Sequence, residues 1–267
     1  MSERSDYPAG VPCWVEVMTP DPQGAMQFYA GVFGWDFVGP GVMPGEPPGD
    51  YYVARVRGRD VAGLGGPAAP ERPSLGWVTQ VSVDSVDVVV DSAAAAGGSV
   101  VVAPFDADSM GRGAVLRDPA GAVFGLWQAG VRAGAQLVNG AGSWAMSQLV
   151  TPDVSSAAGF YGGLFGWTTE TFGDGPGSIT MFRLPGYVGG EPEQPVSREV
   201  VATMRAGSPT DDPRWGVDFR VADIDAAATA VLDHGGQVVA APFETPAGRV
   251  AIVTDNSGIG FTISHVG

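Results

Sequence analysis

Apolar residues recur at helical spacing in four short windows of the chain. In the window Pro22–Phe33, the residues Ala25, Phe28, Tyr29 and Phe33 fall on one face of a helix. A similar window follows Asp153 and runs to Leu164. Two others, Val88–Ala96 and the stretch from Asp225 to His234, close on Gly97-Gly98 and Gly235-Gly236, which suit helix C-caps. Each window is preceded by a short β-rich run: Trp14–Met18, Val78–Val83, Met146–Val150 and Val217–Val221. The aspartates between run and window, Asp21, Asp87, Asp153 and Asp225, suit helix N-caps. Further strand patterns follow at Tyr51–Val56, Ala114–Leu116, Ala122–Trp127, Ile179–Leu184, Val250–Val253 and Gly260–Ile263. The pattern predicts an α+β fold of four βαβββ modules.

The windows repeat. Thr19-Pro20-Asp21 through Phe28-Tyr29-Ala30-Gly31-Val32-Phe33-Gly34-Trp35 recurs 132 residues later, as Thr151-Pro152-Asp153 through Phe160-Tyr161-Gly162-Gly163-Leu164-Phe165-Gly166-Trp167. Val83–Asp87 matches Val221–Asp225, and Asp118-Pro119-Ala120-Gly121 matches Asp255-Asn256-Ser257-Gly258. Two homologous domains, 1–132 and 141–267, are expected, joined by a small-residue linker near Val131–Gly140. Pro- and Gly-rich stretches at Val38–Asp50, Gly65–Leu75 and Pro185–Asp212 read as loops at the rims.

Composition narrows the function. The 267 residues carry a net charge of −15, and all 14 basic residues are arginines. A nucleic-acid partner needs a basic patch, so none is expected. The acidic field favours cationic partners. The single cysteine, Cys13, allows no intrachain disulfide, and the polar N-terminus carries no apolar signal core. No run approaches 18 apolar residues, so no membrane span is expected; the lack of disulfides fits a reducing cytoplasm. There are two histidines, His234 and His265.

The Pro-Asp followed by a helix ending Phe-Tyr-x-x-Val/Leu-Phe-Gly-Trp, with the later Asp118-Pro119-Ala120-Gly121 turn, resembles the vicinal oxygen chelate superfamily. That superfamily includes glyoxalases, bleomycin-resistance proteins and extradiol dioxygenases. The resemblance is to its two-domain actinobacterial members. It implies two tandem domains, each a cup-shaped mixed sheet, with a divalent metal inside the cup of catalytic members. The metal positions it implies fall on Trp14, Val78, Gly125, Met146, Gly216 and Thr262, none of which is His or Glu. No metal and no cofactor are therefore expected. His234 is expected at a solvent-facing helix end and His265 on a terminal strand.

Strand alternation then gives the inward faces. The first cup presents Trp14, Glu16 and Met18; Val78, Gln80 and Ser82; and Val123, Gly125 and Trp127. The second presents Met146, Gln148 and Val150; Gly216, Asp218 and Arg220; and Gly260, Thr262 and Ser264. Trp35 and Trp167 repeat and read as structural. Trp14, Trp77, Trp127, Trp144 and Trp215 read as lacking a Trp counterpart in the other half, which makes them ligand candidates. The candidate ligand-binding set is Trp14, Glu16, Met18, Trp77, Gln80, Trp127, Gln148, Asp218, Arg220 and Thr262. Asp218 and Arg220 are close enough in sequence to pair. Glu16, a carboxylate in an apolar cup, is the candidate acid or base.

The expected function is metal-free binding of a bulky aromatic small molecule, such as an antibiotic or polyketide. Stacking contributes about 0.5–1.5 kcal/mol per aromatic pair beyond burial. The role would be self-resistance, or that of a carrier or accessory protein in natural-product biosynthesis, with a biosynthetic enzyme as a further partner. The chain would act as monomer or homodimer. The alternative is a metal-independent lyase, isomerase or hydroxylase component that uses Glu16.

Overall fold

Short β-rich runs bounded by turn formers become the central strands, and the amphipathic windows between them become helices. The structure, a computed structural model, describes residues 2–43, 49–66, 76–189, 197–208 and 210–265. The first half comprises β1 (Ser2–Glu3), β2 (Pro12–Met18), α1 (Pro22–Phe33), β3 (Asp36–Met43), β4 (Gly49–Val56), β5 (Arg59–Gly66), β6 (Gly76–Ser82), α2 (Val86–Ala95), β7 (Ser99–Ala107), β8 (Gly111–Arg117) and β9 (Val123–Ala129). After β10 (Leu137–Val138) the second half has β11 (Trp144–Thr151), α3 (Val154–Phe165), β12 (Thr168–Phe172), β13 (Ile179–Arg183), β14 (Val200–Ala206), β15 (Arg214–Arg220), α4 (Ile224–Asp233), β16 (Gln237–Thr245), β17 (Gly248–Thr254) and β18 (Gly260–His265).

Each half builds its own eight-stranded mixed sheet, in the orders β3-β4-β5-β2-β6-β9-β8-β7 and β12-β13-β14-β11-β15-β18-β17-β16. The four βαβββ modules are thus present, two to a sheet. β2 runs antiparallel to β6 and parallel to β5, and β11 relates in the same way to β15 and β14. Register shifts interrupt matched places in the two sheets, such as Val100–Phe105 and Val238–Phe243. Bulges of this kind bend strands and curl a sheet.

Helix boundaries follow their caps. Asp21 and Asp153 accept the Gly24 and Ser156 amides at 2.9 Å, and Gly34 and Gly166 close α1 and α3 in the left-handed conformation. The caps of α2 and α4 differ from expectation. They are Ser85 and Asp223, two residues before Asp87 and Asp225. These earlier oxygens reach the free amides, which leaves Asp87 and Asp225 in the first turn. The expected loops also contain strands. Part of 38–50 forms β3 and the start of β4, and 185–212 contains β14. Residues 44–48, 67–75, 190–196 and 209 lie outside the described residues.

The hydrophobic cores cross between the halves. One core joins the first module to the fourth, with Phe28, Tyr29, Phe33, Trp35 and Trp77 packing on Phe219 and Phe261. The other joins the second module to the third, where Phe124 meets Phe160, Tyr161 and Phe165. The repeated motifs cause the crossing. Tyr29 donates to Asp255 Oδ2 and Tyr161 to Asp118 Oδ2, each at 3.0 Å. The other oxygen of each aspartate accepts backbone amides of its own turn, from Ala120, Gly121 and Ala122 or from Ser257 and Ile259. Trp35 donates to the Gly142 carbonyl and Trp167 to that of Gly10, both at 2.7 Å. The helix-end Phe-Tyr…Trp motif of one half therefore fastens the other half. Small residues permit the close approach. A side chain at Gly31 would collide with the ring of His234, and one at Gly236 with Phe28. The His234 residue is exposed, as expected, but its ring packs over α1.

Removing a buried hydrogen-bond donor costs about 1–3 kcal/mol, because the acceptor is left dry. Tyr29→Phe and Tyr161→Phe are each expected to lower the unfolding free energy by that amount in chemical denaturation. Unfolding is expected to remain one transition, because each core uses both halves. Separate transitions for the halves would contradict the shared cores.

Candidate functional site

Alternation along the central strands leaves one face of each sheet for the cores and the other for a cup. In the first sheet Val15, Val17 and Leu64 are wholly buried on the core side. Trp14 and Glu16 lie opposite Gln80 and Val78 on the cup side, and Gln80 lies beside Gly125.

The floor of the first cup is closed by its own side chains. Trp14 is 3% exposed, and Glu16 and Gln80 are each 6% exposed. Trp14 Nε1 donates to the Tyr51 hydroxyl at 2.9 Å, and that hydroxyl donates to Glu16 Oε2 at 2.7 Å. Glycines make the room. A Cβ at Gly63 would collide with the Tyr51 ring and the Trp14 indole, one at Gly65 with Met18 and Met43, and one at Gly125 with Gln80. Burial pushes the Glu16 carboxyl above the usual carboxylate range, and hydrogen bonds from Tyr51 and Gln80 and the charge of Arg132 oppose the shift. The Arg132 guanidinium stands over the Trp14 ring, 5.3 Å from its centroid, and pairs with Asp60 at 3.4 Å. Trp127 Nε1 donates to the Arg132 carbonyl at 2.8 Å.

Tyr51 and Arg132 are both outside the candidate set drawn from the sequence. The alternating glycines Gly63 and Gly65 on β5 signal room for a large neighbour. Arg132 is a lone charge in a segment read only as a small-residue linker.

Trp77 is not in the cup. It occupies the opposite face of β6 and packs in the first core against Tyr29 (5.6 Å) and Phe219 (4.9 Å). Strand alternation requires this, since Val78 and Gln80 hold the cup face. Trp77 also has a counterpart, because Trp215 occupies the same register in β15 and packs on Tyr161 in the second core. The pair is structural.

The second cup is composed differently and is more open. Its floor strands place Met146 and Thr262 on either side of Asp218, and Gln148 beside Gly216. Gln148 Nε2 donates to Thr203, which aligns with Met181 on β13. On the other flank Ile252 aligns with Thr262, and Val250 with both Ser264 and Phe243. Met146, Gln148, Asp218, Arg220 and Thr262 are all half-buried, while Phe243 is 44% and Ile252 42% exposed. The Ser264 hydroxyl donates to Asp218 Oδ2. Burial pushes the Asp218 carboxyl up to about 7, against the Ser264 hydrogen bond and the Arg220 charge. The expected Asp218–Arg220 contact is electrostatic only. Asp218 Oδ1 and Arg220 Nε are both buried without a hydrogen-bond partner.

The donor set does not fit a divalent metal. Of the six implied positions, Thr262 alone carries a side-chain oxygen, and the Trp14 nitrogen is a donor already committed to Tyr51. Among the described residues, no three His, Cys, Asp or Glu side chains converge. His265 binds the Val221 carbonyl at 3.1 Å. Among the described residues no helix is long and apolar enough to cross a membrane.

Known proteins share this fold. The profile of the Glyoxalase/Bleomycin resistance protein/Dioxygenase superfamily matches residues 13–126, and that of the glyoxalase-like domain matches residues 144–264. CFP32 of Mycobacterium tuberculosis, provisionally named a glyoxylase, is 36% identical over 266 residues, which cover 98% of this chain and 97% of the relative. The anthracycline biosynthesis protein DnrV of Streptomyces peucetius is 30% identical over 272 residues, covering 96% and 94%. Among solved structures, the Mn(II)-bound glyoxalase of Novosphingobium aromaticivorans superposes with a TM-score of 0.65 at 17% identity, over 96% of this chain and 82% of the other. The 2,3-dioxygenase LapB of Pseudomonas sp. KL28 superposes with 0.62 at 12% identity, over 96% and 91%. At those identities the structures share the fold alone. With its two βαβββ pairs, its crossed aromatic motifs and relatives spanning its whole length, the chain belongs to the glyoxalase/bleomycin resistance protein/dioxygenase superfamily.

Proposed function

We propose that this protein binds a bulky, largely aromatic small molecule without a metal, and that the ligand occupies the second cup. The observation that carries this reading is the contrast between the cups. The aromatic floor of the first is packed with its own side chains, whereas the second keeps accessible apolar surface at Phe243 and Ile252 around polar groups. Concave apolar walls with a few polar groups suit a small-molecule site. Full-length similarity to proteins named for anthracycline biosynthesis supports a polycyclic aromatic ligand of antibiotic or polyketide type. The role that follows is that of a carrier or accessory protein, handing its ligand to a biosynthetic enzyme or sequestering it for self-resistance.

Titration of an anthracycline by its own fluorescence tests this. Saturable binding is expected, with Ile252→Asp raising Kd at least tenfold and Trp14→Phe changing it less than threefold. Loss of binding in Trp14→Phe with Ile252→Asp unaffected would move the ligand to the first cup.

A second reading rests on Glu16, whose buried carboxyl, bonded to the Tyr51 hydroxyl, is placed to give or take a proton. An enzyme working through it should lose turnover in Glu16→Gln and keep its affinity for the ligand. Product analysis on the wild type and the variant decides, and turnover that survives the substitution would remove Glu16 from the chemistry.

A further inference from the structure

The floor of the second cup holds two buried polar atoms, on half-buried side chains, that the protein itself leaves unanswered. Ser264 satisfies one oxygen of Asp218, while Oδ1 is buried with no partner. Two residues along the same strand face, Arg220 Nε is likewise buried and unbonded. The strand spacing sets these residues about 7 Å apart. The strands flanking Asp218 bring Met146 and Gln148 from β11 and Thr262 and Ser264 from β18, none of them charged. Arg220 is the charged group whose field acts on Asp218. Buried polar groups are nearly always partnered, so an acceptor and a donor left open on the same face of a curled sheet point to partners supplied by a ligand. A dry carboxylate oxygen takes a charged donor best, and the chain's net charge of −15 draws cations toward it.

Resting on the second cup as the ligand site, we propose that Asp218 and Arg220 form a two-point anchor for an amine-bearing aromatic ligand. The ammonium group pairs with Asp218 Oδ1, and a carbonyl or phenolic oxygen of the same ligand accepts from Arg220 Nε. Methionines at Met146 and Met181 and the apolar flank of Ile252 and Phe243 take the ring system. The matching position to Asp218 in the first cup is Gln80, which bonds Glu16 instead. The two cups therefore differ in the charge they ask of a ligand.

The test uses an anthracycline with a primary amino sugar and its N-acetylated counterpart, titrated against the wild-type chain, Asp218→Asn and Ile252→Asp. On the wild type, N-acetylation is expected to weaken binding tenfold or more. Asp218→Asn should cause the same loss for the amine, and the acetylated probe should bind wild type and Asp218→Asn within twofold of each other. Protonation of Asp218 removes its charge, so wild-type affinity for the amine should fall as pH drops through about 7, with Asp218→Asn flat from pH 8 to 5.5. Equal binding of both probes to the wild type, still sensitive to Ile252→Asp, would overturn the anchor and leave the cup reading standing. Binding of neither probe, or binding indifferent to Ile252→Asp, would overturn the cup reading and the anchor with it.

Discussion

Two buried phenol–carboxylate hydrogen bonds, Tyr29 to Asp255 and Tyr161 to Asp118, fix how the halves of this molecule meet. Each joins the helix of one half to the closing turn of the other. The same aspartates organise those turns through their backbone amides. The helices are thereby held between the sheets, and both hydrophobic cores become joint property of the two halves. The concave faces are then turned away from the cores. A tandem repeat can in this way keep its inner faces constant and vary its cups.

The variation is visible position by position. Trp14 and Glu16 of the first cup correspond to Met146 and Gln148 of the second, Gln80 to Asp218, and Gly125 to Thr262. Gly63, which makes room for Tyr51 beside Glu16, corresponds to Thr203, which bonds Gln148. In the first cup these choices produce a closed chain of hydrogen bonds with Arg132 laid across Trp14. In the second they leave polar atoms unmatched and apolar surface open. Neither donor set suits a divalent metal, although the fold is shared with a Mn(II)-bound glyoxalase.

Much of this was legible in the sequence. Period-two alternation put Trp14 and Glu16 on one face and Val15 and Val17 on the other, and the repeated Phe-Tyr…Gly-Trp motif marked Trp35 and Trp167 as structural. Trp77 reads as a cup residue by its aromatic character alone; its parity, opposite to that of Val78, sets it in the core. β3 was obscured by Gly39, Pro40 and Gly41, and β14 by the Gly- and Pro-rich residues around it. The crossing of the cores could not be read, since periodicity tells which face is buried and not what buries it. Nor could the closing of the first cup, which depends on Tyr51 reaching over a glycine in the adjacent strand.

Hydrogen exchange of the full chain with and without an amino-sugar anthracycline reports where the ligand sits without any substitution. Ligand in the second cup should slow exchange in Trp144–Thr151, Arg214–Arg220 and Gly248–His265 and leave Pro12–Met18 and Gly76–Ser82 unchanged. Slowing confined to Pro12–Met18 and Gly76–Ser82 would contradict that placement and return the ligand to the first cup.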